Sequence, residues 1–107
     1  MANIIVGTTA GADSWDSETR YAAIGDTEAV WRNTNETVTE IICRSPGTAE
    51  ALVCEVSANT RSTTSTVTLR VNSLDSALSV SISGSTTGTL SDTGSVSIGN
   101  GDTYNLS

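Results

Sequence analysis

Between Thr66 and Ser83 the chain reads TVTLRVNSLDSALSVSIS, with apolar residues at alternate positions through both of its arms. Val67, Leu69 and Val71 alternate with Thr68 and Arg70, and Leu78, Val80 and Ile82 alternate with Ser79 and Ser81. A strand turns successive side chains to opposite faces, so this period of two predicts two strands, each with one buried and one solvated face. The polar link NSLDS is turn-prone, which makes the pair a hairpin.

The same reading extends in both directions. TVTEIICR (Thr37 to Arg44) and EALVCEVSAN (Glu50 to Asn59) flank SPGT, whose Pro46-Gly47 suits the centre of a type II turn. The second arm turns Leu52, Cys54 and Val56 inward and Glu55 and Ser57 outward. SGSTTGTLSDTGS (Ser83 to Ser95) reads as a loop with a short strand around Leu90. VSIGNGD and TYNLS then place Val96 and Ile98 on one strand and, after a Gly-rich turn, Tyr104 and Leu106 on one face of the next. In the N-terminal third, NIIV predicts a strand containing Ile4, Ile5 and Val6. WDSETRYAAIGDTEAVWRN holds two short strands or a helical turn begun at Asp13 or Asp26; its Trp, Tyr, Ile and Val favour strands.

No repeat of solenoid length and no linker interrupts the chain, so residues 1–107 form a single domain. About eight short strands at fairly even spacing, with turn signals between them, predict an all-β fold. An amphipathic sheet must bury its apolar face, so the architecture expected is a two-layer antiparallel β-sandwich, jelly-roll-like.

Composition makes the expected core thin. Hydrophobic residues are 36% of the chain, there is no Phe, and the only rings are Trp15, Trp31, Tyr21 and Tyr104. A domain of this length is modestly stable at best, so extra burial against a partner would help it. The formal net charge is −7, and all five cations are Arg. That balance argues against nucleic acid, which needs a cationic footprint, and against anionic membrane surfaces. No segment has the apolar length to span a bilayer or the pattern of a signal peptide, so synthesis and initial residence in the cytoplasm are expected. Asn35-Glu36-Thr37 and Asn105-Leu106-Ser107 fit the glycosylation acceptor pattern but read as chance matches in a Thr-rich chain.

Several phrases in order carry a family pattern: ETRYAAIGD ahead of a Trp, then PGTAEALVCEVSANT, TVTLRVN, TTGTLSDTG and VSIGNGD. Together, from about Glu18 onward, they resemble small jelly-roll domains of bacteriophage and virus-like virion proteins, of the decoration, fibre or tail-associated kind. The shared motifs are turn and strand grammar, not active-site signatures. Two departures stand out. Relatives place Gly after the hairpin Asn, where this chain has Ser73 after Asn72, and they continue past the segment matching GDTYNLS with one more strand. The resemblance therefore implies an open sheet edge at the terminal strand. It is covered by strand addition from a neighbouring subunit, or by a closing strand beyond Ser107.

Candidate chemistry is sparse. Without His or Lys, serine and cysteine triads, imidazole metal sites, Schiff bases and a phosphate-loop lysine are excluded. Carboxylate pairs of the glycosidase kind need a cleft with aromatic platforms, which this chain is too short and ring-poor to supply. No catalysis and no cofactor are expected. Asp13, Asp16 and Glu18 around Trp15 form a weak candidate Ca²⁺ loop, more simply read as a solvated acidic loop. Cys43 and Cys54 are read as reduced, buried small hydrophobes or as a disulfide formed in an oxidising setting, with metal or nucleophilic use the least supported.

The function expected from all this is a structural virion protein, synthesised in the host cytoplasm and placed at the virion surface. Its partners would be copies of itself or a major capsid or tail protein. Interface candidates are Ile4, Ile5, Val6, Trp15, Trp31, Tyr104 and Leu106. The alternatives are a carbohydrate-binding module that stacks glycans on Trp15, Trp31 and Tyr21, or a subunit of a strand-exchanged extracellular filament.

Overall fold

The computed structural model describes residues 35–107. After a 3-10 turn at Glu36–Val38 come six strands: β1 (Ile41–Ile42), β2 (Gly47–Val56), β3 (Ser65–Val71), β4 (Leu74–Ile82), β5 (Gly88–Ile98) and β6 (Thr103–Leu106). They form two antiparallel sheets, one with the order β1-β6-β3-β4 and the other β2-β5, so the described chain is nearly all β as expected. The expected N-terminal strand and the elements around Trp15 and Trp31 lie outside the described residues.

The β3–β4 hairpin forms, with a tighter turn than the polar link suggested. Val71 pairs directly with Leu74, and Asn72 and Ser73 make a two-residue loop at φ 52° and 61°. Two consecutive left-handed residues are the type I′ geometry that matches strand twist. Ser73 therefore fills the second left-handed position of the turn, one that glycine takes most readily. Between Thr68↔Ser79 and Arg70↔Asp75 the pairing advances two residues on β3 and four on β4. The even excess keeps Leu78 in phase with the core face, and Ser76 Oγ accepts the Leu78 N–H at 3.2 Å within the bulge.

The Thr37–Arg44 arm is corrected. Its first half is the 3-10 turn and only Ile41–Ile42 is strand. Asn35 Oδ1 accepts the Thr37 N–H and hydroxyl, and the Thr39 N–H and hydroxyl both donate to the Glu36 carbonyl. Such local bonds offer the backbone an alternative to a ladder, and here they win. Nor does this arm form a hairpin with the next, since β1 pairs with β6 and β2 with β5. Pro46-Gly47 lies in the connection between sheets. Gly47 opens β2 without the positive φ that a type II turn requires.

The expected loop at Ser83–Ser95 is also corrected, because β5 begins at Gly88 and pairs along the whole of β2. Its Thr and Ser residues alternate outward, while Leu90, Asp92, Gly94, Val96 and Ile98 alternate on the other face. Asp92 and Gly94 break the apolar pattern for packing reasons. A Cβ on Gly94 would lie 3.4 Å from Leu78 Cδ2, and the Asp92 carboxylate accepts two backbone N–H groups. Opposite them, Ala51 at φ 62° marks a bulge where β2 advances two residues and β5 three. This shift brings both Ala49 and Leu52 to the inner face.

The core is the buried cluster Val67, Leu69, Leu78, Val80, Ile82 and Leu106, all from the four-stranded sheet. Ala49, Leu52, Cys54, Val56, Leu90 and Val96 of the other sheet pack against it but stay half-buried. Among the described residues the buried cluster is six side chains, all aliphatic.

Candidate assembly surface

At the β3–β4 turn end of the four-stranded sheet, four apolar residues stand in one row. Ile41 pairs with Tyr104, Tyr104 with Val71, and Val71 with Leu74. Directly paired residues share a face, and Tyr104 and Val71 lie two positions from the core residues Leu106 and Leu69. The row therefore continues the core face past the buried cluster. Ile41, Tyr104 and Val71 are half-buried, and Leu74, on edge strand β4, is 69% exposed.

The opposite face at this end is a polar latch. Arg70 bonds both carboxylate oxygens of Glu36, the carboxylate of Asp75 and the Ser73 carbonyl. These carboxylates, Glu36 foremost, hold the Arg70 guanidinium protonated still more firmly than usual, against the opposing effect of burial. Beside it, Asn105 is fully buried and donates from Nδ2 to Thr39 Oγ1 at 3.0 Å. The 3-10 turn and Thr39 are thus tied across the outer face of the sheet. Thr68 is buried there too, its hydroxyl 3.2 Å from Ser79 Oγ.

Two turns are stitched together at the same end. Asn72 Nδ2 donates to Asp102 Oδ1 at 3.0 Å, the Thr103 N–H donates to Asn72 Oδ1 at 3.0 Å, and the Gly99 N–H donates to Asp102 Oδ2 at 2.8 Å. Donation from Asn72 and Gly99 holds the Asp102 carboxyl below the usual carboxylate range. Glu36 and Asp75 hold Arg70 on the face opposite the row, while Asp102 accepts from Asn72 and Glu40 accepts from the Ser73 hydroxyl at the turn.

The structure redistributes the expected interface residues. β6 is interior to its sheet, paired with β1 on one side and β3 on the other, so the expectation of an open edge at the terminal strand is corrected. Among the described residues the sheet edges are β1, β4 and both strands of the β2–β5 pair. Tyr104 belongs to the apolar row, whereas Leu106 lies in the core. Ile4, Ile5, Val6, Trp15 and Trp31, and the Asp13, Asp16, Glu18 cluster, lie outside the described residues. Cys43 and Cys54 are free and half-buried. The Cys43 thiol donates to the Ser45 carbonyl at 3.1 Å, and burial pushes the Cys54 thiol up.

Sequence reasoning missed Glu36, Thr39, Arg70 and Asn105, whose bonds across the sheet join residues distant in the chain. It reads Asp92 as a turn residue with local backbone bonds, which accounts for its bond to Gly94 but not for the one to Ser79. The local signal that could have found the 3-10 turn is Asn35, a residue type suited to capping, directly ahead of Glu36. Among the described residues, no group of three or more acidic, Cys or His side chains could hold a metal ion, and no helix is long and apolar enough to cross a membrane. Comparison with known proteins finds no family model, no curated protein and no solved structure that matches the chain.

Proposed function

We propose that this chain is a non-enzymatic structural protein, a jelly-roll-like sandwich that works by packing into a symmetric assembly. The observation that supports this best is the row Ile41–Tyr104–Val71–Leu74, which carries the core face out to solvent and ends on an edge strand. The half-buried inner face of β2 and β5 points the same way, since a thin core gains stability when a partner covers it. Placement at a virion surface, against copies of itself or a capsid or tail protein, rests on the resemblance of its turn and strand phrases.

The test is solution mass by light scattering across a concentration series, with thermal melts on the same samples. A discrete oligomer whose melting temperature rises with concentration is expected. A monomer at every concentration, with one unchanging melt, would remove self-assembly as the function.

A further inference from the structure

We infer that Asn100 is a site of spontaneous covalent modification, namely deamidation through a cyclic imide formed with Gly101. Five asparagines fall in the described region, and four have their side chains engaged. Asn35 caps the 3-10 turn, and Asn59 donates to the Ser83 and Thr86 carbonyls while accepting the Arg61 N–H. Asn72 is bonded at both amide atoms, and Asn105 is buried against Thr39. Asn100 is exposed in the β5–β6 turn, and no hydrogen bond from a described residue holds its amide.

The residue that follows supplies the nucleophile. Gly101 has no side chain to shield its backbone nitrogen, sits at φ 89°, and has open space where a Cβ would stand. In the reaction the Gly101 nitrogen attacks Asn100 Cγ. The Cγ–Nδ2 bond breaks, and the side-chain amide leaves as ammonia with the proton from the Gly101 N–H. Water then adds to either imide carbonyl. One opening leaves an aspartyl residue, and the other leaves an isoaspartyl residue whose main chain runs through Cβ.

The fold gates this step. The Gly101 N–H donates to the Cys43 carbonyl at 2.8 Å, so attack requires the turn to part from the end of β1. Breaking one backbone hydrogen bond of ordinary net strength makes the reaction roughly threefold to tenfold slower than in an unfolded peptide. The product adds a carboxylate beside Asp102 and, in the isoaspartyl form, lengthens the turn that sets the β5–β6 connection.

The experiment incubates the folded protein and a synthetic peptide spanning Ser97 to Asn105 in one mildly alkaline buffer, with peptide mapping by mass spectrometry over time. Position 100 is expected to convert before every other described asparagine, mainly to the isoaspartyl form, and N100S is expected to abolish that conversion. An Asn100 still intact when the peptide has fully converted would overturn the inference. So would earlier conversion at Asn35, Asn59 or Asn72.

Discussion

The Asp92 carboxylate, on β5, accepts the backbone N–H of Ser79, on β4, at 3.0 Å. This bond joins the two sheets at the edge of the larger one and occupies a ladder position that would otherwise be open. The second Asp92 oxygen accepts the Gly94 N–H at 3.0 Å, and the two bonds hold its carboxyl below the usual range. Replacing Asp92 with Ala should lower the melting temperature and free the β4 edge, giving more aggregation on heating, followed by turbidity.

Acid sensitivity follows from the same geometry. Asp92 and Asp102 both have depressed folded-state values, so their contribution is full above the unfolded Asp value of about 3.9. It is lost as pH falls through the lower folded values, because the unfolded chain then binds protons more readily. Melting temperature should fall as pH drops below about 4, and a D92N/D102N variant should show a shallower acid limb. An unchanged limb in that variant would show that other carboxylates govern acid unfolding.

Ala51 and Ser73 hold left-handed backbone without being glycine. That conformation costs an L residue about 1–2 kcal/mol, partly offset by the greater unfolded-state freedom of glycine. A51G and S73G should each stabilise the chain by about 0.5–1 kcal/mol in urea unfolding. The gain at Ser73 should be the smaller, since its hydroxyl also donates to Glu40.

Leu78 and Leu74 share a strand and face but not a role. Leu78 is almost fully buried, and L78A should cost about 2–5 kcal/mol of stability. Leu74 is mostly exposed, so L74S should change monomer stability by no more than about 0.5 kcal/mol. If the apolar row is the packing surface, L74S should nonetheless shift light scattering toward monomer.

Removing Arg70 should unfasten the 3-10 turn. Its side chain and that of Glu36 are both largely buried, so R70A leaves a carboxylate without its main partner, at about 1–3 kcal/mol. R70K should recover only part of the loss, because an ammonium cannot reproduce the two-pronged bond to Glu36. Urea unfolding of the three proteins side by side checks the order.

The sequence by itself determined the all-β class, the β3–β4 hairpin and the core residues Val67, Leu69, Leu78, Val80 and Ile82. Period two is a local signal, and it is strong wherever one face is apolar and the other polar. It failed at Gly88–Ser95, where Asp92 and Gly94 face inward for reasons that reside on β4, and at Glu36–Thr39, where capping bonds displaced a ladder. Only the tertiary structure decided that β1 pairs with β6 and not β2, that the terminal strand is interior, and that Arg70 reaches Glu36. Pairing and ion-pair choices depend on which elements meet after the chain has folded back, and alternation along a segment carries no record of its partner.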